Sequence, residues 1–225
     1  LASPQEVLRV GPAGPSFCSF QARRHLVVTD PGSGRILWQR TDLDPRGGLL
    51  NDPYAGLFGD DNVLVLFAAD RSSYTVYKSA TGEILRTGRL DIEVNQQRRV
   101  FGRKLCYVAR TEKGLRIRIW DPLHDRIEFD EPFEGRLYSA VTPNQELAVI
   151  LPPGRLVILD VAANQKRLDF QLDPADLANL NYMRIFNGNG RYFVNLQRAI
   201  RVPPSRTYSY YASDTFLDAV HVQGE

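Results

Sequence analysis

The chain has 225 residues, of which 43% are apolar, and its 28 basic and 26 acidic residues leave a net charge of +2. That charge is too small to indicate a nucleic-acid partner or a membrane surface, and no apolar run is long enough to span a membrane. A chain of this size can bury a substantial core. We predict one domain over residues 1–225, with no nucleic-acid partner and no membrane span.

One nine-residue pattern occurs four times, at spacings of 48, 43 and 39 residues. In each copy a turn is flanked by strand patterns. The copies are residues 30–38 (DPGSGRILW), 78–86 (KSATGEILR), 121–129 (DPLHDRIEF) and 160–168 (DVAANQKRL). A repeat of roughly 40–48 residues built from strands and turns is typical of a β-propeller of four-stranded antiparallel blades, one blade per repeat.

The four turns differ in sequence but share residue types with the same backbone preference at one position. The fifth residue of each copy is Gly34, Gly82, Asp125 or Asn164. These residue types tolerate the left-handed backbone best, so we predict a positive φ at all four positions. A type I turn that closes on a left-handed residue is a common hairpin connection.

Further apolar segments follow short turns and indicate inner strands. They are residues 62–68, 104–109, 146–151 and 191–196. With the repeats they predict about five blades, near residues 14–42, 55–91, 99–134, 137–172 and 182–200, and a further strand at 216–222. Residues 173–181 open with an N-cap residue and a proline, which predicts one or two helical turns.

The chain starts at Leu1 and stops after the strand at 216–222, where another repeat motif is expected. We interpret it as part of a larger propeller. On its own, such a part leaves blade faces unpaired, which favours aggregation or pairing. The alternative is a closed five-bladed ring that uses both termini for one blade.

The sequence offers no constellation for catalysis or metal binding. His25, His124 and His221 fall on separate blades without ligand spacing. Asp52, Asp60 and Asp61 could supply a carboxylate pair for acid–base chemistry. A turn is favoured, because Asp60 and Asp61 directly follow a glycine. No nucleophile elbow and no phosphate-binding loop occurs. We predict no catalytic, cofactor-binding or metal-binding residue.

The two cysteines, Cys18 and Cys106, lie on strand patterns of different blades. Buried free thiols are favoured over a disulfide.

Two segments are candidates for contact with a partner. Arg98 and Arg99, with Arg103 and Lys104, form a basic cluster that either binds an acidic partner or is a solvated edge. Residues 201–214 (RVPPSRTYSYYASD) are long for an ordinary connection, and long loops are often functional.

The second segment supplies rigid amphipathic side chains of the type used at interfaces. The candidate contacts are Arg206, Tyr208, Tyr210 and Tyr211. The alternative is a loop that folds back over the open edge of the fifth blade and covers it with these rings.

Residues 30–38 resemble the repeat of pyrroloquinoline-quinone-like (PQQ-like) propellers, Asp-x-x-Thr-Gly-x-x-x-Trp, and residues 79–85 are similar to its middle. The layout looks most like large propeller-repeat proteins of planctomycete-type bacteria. The family also includes quinoprotein dehydrogenases and the lipoprotein that helps to assemble outer-membrane barrels, so the resemblance favours an extracytoplasmic location.

The resemblance implies that a tryptophan at the end of each motif docks against the neighbouring blade. Only Trp38 holds that position, and Arg86, Phe129 and Leu168 replace it elsewhere. Arginine cannot fill an apolar gap without water or a partner, so we expect irregular blades.

The resemblance also implies what a quinoprotein dehydrogenase needs: a catalytic Asp, a calcium site beside the quinone and often a disulfide of adjacent cysteines. No residue here matches these features. We therefore predict a non-catalytic propeller module, without a cofactor, that binds a protein or other domains of a larger bacterial protein. The alternative is a quinoprotein-type or carbohydrate-processing enzyme domain with its site in the central funnel.

Overall fold

The computed structural model describes residues 9–22, 24–43, 56–93, 98–173, 177, 180–188, 191–201 and 211–221. These residues form five antiparallel sheets, in each of which strands that follow one another along the chain are neighbours. Such an up-and-down sheet is the blade of a β-propeller. The predicted fold class, all-β and built from propeller blades, is confirmed.

Among the described residues, blades 1 to 4 have four strands each and blade 5 has three. Blade 1 consists of β1 (Arg9–Gly14), β2 (Phe17–Ala22), β3 (His25–Thr29) and β4 (Ile36–Arg40). Blade 2 consists of β5 (Leu57–Gly59), β6 (Val63–Phe67), β7 (Ser73–Lys78) and β8 (Ile84–Arg89). Blade 3 consists of β9 (Arg99–Phe101), β10 (Lys104–Thr111), β11 (Gly114–Asp121) and β12 (Arg126–Phe133).

Blade 4 consists of β13 (Tyr138–Val141), β14 (Leu147–Leu151), β15 (Arg155–Asp160) and β16 (Gln165–Gln171). Blade 5 consists of β17 (Leu180–Gly188), β18 (Arg191–Arg201) and β19 (Tyr211–His221). The chain divides into two compact units, Leu1–Pro132 and Phe133–Glu225. The prediction of a single domain over residues 1–225 stays a prediction.

All four repeat turns have the predicted left-handed residue. Its φ is 68° at Gly34, 71° at Gly82, 51° at Asp125 and 52° at Asn164. The pairing of the flanking strands shifts by one residue next to three of these turns, as expected for a left-handed residue that forms a β-bulge. The repeat therefore conserves a backbone geometry, and Asp or Asn replaces Gly without changing it.

Two boundaries differ from the prediction. Blade 1 begins at Arg9 and not near residue 14, because β1 (RVGPAG) contains two glycines and a proline, which hide the strand pattern. β17 begins at Leu180, inside the segment 173–181 that we predicted as helical. Leu177 lies in a 3-10 turn, and residues 174–176 and 178–179 lie outside the described residues.

The core lies between neighbouring blades. One apolar cluster joins blades 1 and 2, a second joins blades 2 and 3, and a third joins blades 4 and 5. Blade 2 contributes alternate residues of β6 to the first two clusters. Leu64 and Leu66 face blade 1, whereas Val65 and Phe67 face blade 3. All five residues of β6 are buried, as expected for a strand covered on both faces.

Trp38 docks blade 1 onto blade 2, as the resemblance implied. Its indole Nε1 donates a hydrogen bond to the carbonyl of Ser79 at 2.7 Å, and its ring lies 5.7 Å from the ring of Tyr77. A Cβ at Gly82 would approach the indole to 2.6 Å. Gly82 is therefore required for the close approach of the ring, and it adopts the positive φ of this turn without strain.

Arg86 occupies the same motif position and reaches the corresponding place on blade 3. Its Nη1 donates to the carbonyl of Pro122 at 3.0 Å, and its Nε lies 3.4 Å from the carboxylate of Asp125. Asp125 occupies the motif position that Gly82 holds in blade 2. The Trp38 ring therefore packs against a glycine, whereas Arg86 pairs with a carboxylate. The indole and the guanidinium thus donate to equivalent carbonyls.

Both cysteines are free thiols in the structure, as predicted. Cys106 is buried as expected, whereas Cys18 is only half-buried. Burial raises the pKa of the Cys106 thiol to about 12, although the nearby Arg99 opposes the shift. No helix among the described residues is long and apolar enough to cross a membrane.

Candidate interaction face on the fifth blade

The basic cluster predicted around residues 98–104 is engaged within the first unit. Arg98 is 9% exposed, and its guanidinium lies 5.7 Å from the centre of the Phe67 ring. Arg99 opens β9 and is half-buried. Lys104 is buried and pairs with Glu128 at 2.7 Å. The structure therefore does not present this cluster as an exposed basic patch, and contact of Arg98 and Arg99 with a partner stays a prediction.

The tyrosine-rich segment is shorter as a connection than the sequence suggested. Arg201 is the last residue of β18 and pairs with Tyr211, the first residue of β19. Tyr211 is therefore a strand residue and not a loop residue. Arg206, Tyr208 and Tyr210 lie outside the described residues.

A polar network joins the turns of blades 2 and 3. Arg103 donates to Asp60 at 2.8 Å and to Asp121 at 3.0 Å, and Asp121 also lies 2.7 Å from Nδ1 of His124. Burial raises the pKa of Asp121, but hydrogen bonds from Arg103, His124 and the Leu123 amide outweigh it and lower the pKa to about 2. The same carboxylates hold Arg103 protonated by raising its pKa.

The acidic pair of blade 2 forms a turn, as predicted. Asp60 Oδ1 accepts hydrogen bonds from the amides of Asn62 and Val63, at 2.9 and 3.2 Å. Asp61 accepts from the amide of Ser16 on blade 1 at 3.4 Å. These carboxylates are therefore used to hold turns and blades together. Asp52 lies outside the described residues.

A buried carboxylate, which the sequence analysis did not single out, joins blades 4 and 5. Glu146 is 7% exposed and accepts hydrogen bonds from Tyr192 at 2.7 Å, Thr142 at 2.9 Å and Asn187 at 3.3 Å. Burial, together with the bond to Glu146, raises the pKa of Tyr192, so the phenol remains a donor. The described residues contain no group of three or more histidine, cysteine and acidic side chains that could hold a metal.

The side chains of β17 alternate between a buried and an exposed face. Met183 and Ile185 are 3% and 4% exposed and pack in the cluster shared with blade 4. Tyr182 and Phe186, on the other face, are 46% and 45% exposed, with the exposed Arg184 between them. Successive side chains of any strand point to opposite faces, but this does not say which face another blade covers.

We call this second side the open face of blade 5. It consists of three residues of β17 and the residues of β18 directly opposite them: Tyr182, Arg184, Phe186, Phe193, Asn195 and Gln197. The guanidinium of Arg184 lies 5.3 Å from the centre of the Tyr182 ring. No described carboxylate lies within ion-pairing distance of Arg184.

The open face also holds a polar atom that has no partner among the described residues. Asn195 Oδ1 is buried, and no described residue donates a hydrogen bond to it. Leaving such an acceptor unpaired costs about 1–3 kcal/mol. Aromatic rings and arginine are the residue types enriched at protein interfaces.

Comparisons with known proteins do not assign the chain to a family. No family model matches the sequence, and no curated protein matches it. Similar solved structures include BamB from Moraxella catarrhalis, with 12% identity and a TM-score of 0.37 over 93% of this chain and 64% of that chain. The chain thus spans less than two thirds of BamB.

A eukaryotic initiation factor has 13% identity and a TM-score of 0.49, with 94% of this chain and 52% of that chain covered. A KlHsv2 protein with its loop 6CD replaced by a Gly-Ser linker has 11% identity and a TM-score of 0.37, with 99% and 88% covered. Likenesses this distant carry no information on function, and the fold class rests on the sheets themselves.

Proposed function

We propose that this chain is a non-catalytic, PQQ-like β-propeller module of a larger bacterial protein that binds a protein partner, or another domain of its parent chain. The observation that carries the proposal is the open face of blade 5. The same sheet buries one face against blade 4 and exposes two aromatic rings on the other, with an arginine that pairs with no described carboxylate.

The chemistry of the open face defines the partner. Tyr182 and Phe186 offer apolar contact on either side of Arg184, whose charge has no acidic partner among the described residues. A complementary protein segment carries Asp or Glu flanked by Leu, Ile or Phe.

The non-catalytic part of the proposal is supported by the use of the carboxylates. Asp60, Asp121 and Glu146 each accept hydrogen bonds from side chains that hold blades or turns in place. A general acid or base needs access to a substrate, and these three groups are engaged in structural contacts.

The family assignment is supported by local geometry. Trp38 docks on the neighbouring blade, and Gly34 and Gly82 have the left-handed backbone of the repeat turn. The extracytoplasmic location follows from this family resemblance. Contact by Tyr211 belongs to the same proposal, because Tyr211 opens β19, which adjoins β18 in the sheet of the open face. Contacts by Arg206, Tyr208 and Tyr210 are proposed from the sequence alone.

A random-peptide display selection against the purified chain tests the proposal. We expect enrichment of acidic segments flanked by apolar residues, loss of these segments with Arg184→Glu, and enrichment of basic segments in their place. Ile84→Ser is the matched control, because Ile84 is also an exposed apolar residue, 47% exposed, but lies on blade 2. Segments that bind wild type and Arg184→Glu equally would overturn the proposal.

The enzyme alternative has its own test. Incubation with calcium and pyrroloquinoline quinone should leave the melting temperature unchanged and yield no bound quinone absorbance. A saturable rise in the melting temperature would replace the proposed function with the quinoprotein alternative.

A further inference from the structure

A pocket of about 110 Å³ opens at one end of blade 4, within the second unit. It is enclosed by the start of β13, by the end of β14 with the turn that follows it, and by the connection to blade 5. The lining residues are Arg136, Tyr138, Ile150, Pro152, Pro153 and Leu177, among others. Arg136 is the one charged residue of this lining, and the walls are otherwise mostly apolar.

The apolar wall of the pocket is accessible from solvent. Tyr138 and Ile150 are directly opposite each other in the β13–β14 pair, so their side chains share one side of the sheet. Both contribute to the apolar cluster between blades 4 and 5, and Leu177 packs against the same cluster. Tyr138 and Leu177 are only half-buried, and the two prolines of the turn are exposed, so a ligand can reach this end of the cluster.

Two features fix the shape of the pocket. The Tyr138 hydroxyl donates a hydrogen bond to the carbonyl of Leu180, which holds the ring that forms one wall. Gly154 has a φ of 137°, which other residues rarely adopt, and a Cβ there would approach Leu177 to 2.8 Å. Glycine at this position therefore lets Leu177 close in as a second wall. The pocket is thus preformed, as most small-molecule sites are.

Arg136 gives the rim of the pocket a positive charge. It is exposed, and its guanidinium lies 5.1 Å from the centre of the Tyr138 ring. No described carboxylate, that of Glu134 included, lies within ion-pairing distance of Arg136. The cation is therefore available to an anionic group from outside. Because the guanidinium lies over a ring of the pocket wall, that group must be close to the apolar part of the same ligand.

The volume of the pocket limits the apolar part of the ligand. A cavity of about 150 Å³ in another protein holds benzene, so a pocket of about 110 Å³ holds about four or five carbon atoms. A branched aliphatic group of the size of a leucine side chain has this volume.

We propose that this pocket is a binding site for a branched aliphatic carboxylate. The apolar group lies against Tyr138, Ile150 and Leu177, and the carboxylate pairs with the Arg136 guanidinium at the rim. The same chemistry occurs in a short branched-chain acid and at the C-terminal leucine of a polypeptide. The site uses no residue of the open face of blade 5 and does not depend on the partner proposed there.

Titration of the ¹⁵N-labelled chain with 4-methylpentanoate, which has the carbon skeleton of leucine without the amino group, tests the site. We expect saturable shifts of the backbone amide resonances of Gly154 and Leu177, with a Kd of the order of 1 mM, as befits so small a ligand. 4-Methylpentanamide, which lacks the charge, and acetate, which lacks the apolar group, should bind at least about tenfold more weakly. Equal binding of all three compounds, or no saturable shift with the acid, overturns the proposal.

An acetylated peptide that ends in leucine distinguishes the two sources of the ligand. Tighter binding of this peptide than of 4-methylpentanoate assigns the pocket to a polypeptide C-terminus, and weaker binding assigns it to a free acid. Either order supports the site, provided that amidation of the peptide's carboxylate weakens its binding.

Two variants locate the binding. Arg136→Met should weaken binding of 4-methylpentanoate at least about tenfold and leave binding of its amide unchanged, because it removes the charge and keeps the stem. Leu177→Ala should weaken binding of both compounds, because it removes an apolar wall. Arg35→Met, at an exposed arginine of blade 1, is the matched control and should bind as wild type does. Unchanged binding of the acid to Arg136→Met overturns the proposal.

Discussion

Blades 2 and 5 are built from the same kind of strand but are covered differently. Along β6 every residue is buried, because Leu64 packs toward blade 1 and Val65 toward blade 3. Along β18, Val194 is fully buried against blade 4, whereas the adjacent Asn195 is half-buried on the open face. A blade thus has two faces to cover, and in blade 5 the second is aromatic and polar, as at a protein interface.

The largest expected effects come from truncating the covered faces. Leu64→Ala and Phe67→Ala, on opposite faces of blade 2, should each lower the free energy of unfolding by about 2–5 kcal/mol, because each leaves a cavity between blades. Leu196→Ala should do the same on the covered face of blade 5. Urea unfolding measures all three.

The matched control is Phe186→Ala on the open face, for which we expect a loss below about 1 kcal/mol. A loss as large as that of Leu196→Ala would contradict the distinction between the two faces of blade 5.

The junction of blades 2 and 3 should depend on pH. The pKa of Asp121 is lowered to about 2 in the folded chain, so the carboxylate stabilises the fold above about pH 4 and loses this contribution as the pH falls toward 2. Asp121→Asn should therefore lower the free energy of unfolding by about 2 kcal/mol at pH 7 and by little near pH 2.

Denaturant unfolding at both pH values measures the difference. Glu112→Gln, which removes an exposed acid of the same blade, is the control and should have little effect. An Asp121→Asn loss that does not change with pH would rule out the charged network as its source.

A smaller loss of stability should distinguish Trp38, which docks blade 1 on blade 2, from Arg86, which docks blade 2 on blade 3. Trp38→Phe removes the hydrogen bond to Ser79, and Arg86→Met removes the bond to Pro122 and the ion pair with Asp125. Each should cost about 1 kcal/mol. Only the Arg86→Met loss should shrink in 1 M salt, because salt screens the partly exposed ion pair. Equal salt dependence of the two losses would show that Arg86 does not dock through its charge.

The sequence alone predicted the blades and the turns well, because both depend on local signals. The left-handed residue at Gly34, Gly82, Asp125 and Asn164 follows from side-chain type and spacing. The predicted start of blade 1 was wrong, because the glycines and the proline of β1 carry no strand pattern.

The contacts between blades could not be predicted in the same way. The bond from Tyr192 to Glu146 joins residues 46 positions apart, and no local pattern marks such a pair. The exposure of Tyr182 and Phe186 depends on which side of blade 5 another blade covers, and alternation along one strand leaves that choice open. The candidate site therefore required the structure.

The most direct test of the account is the affinity of a selected acidic segment for the chain, measured by titration calorimetry. We predict that Arg184→Glu weakens binding at least tenfold, that a segment with Lys in place of its acid recovers the loss, and that Ile84→Ser has no effect. Tenfold corresponds to about 1.4 kcal/mol, which is within reach of one partly desolvated charge pair. Equal affinity for wild type and Arg184→Glu would contradict the claim that the open face of blade 5 binds the partner.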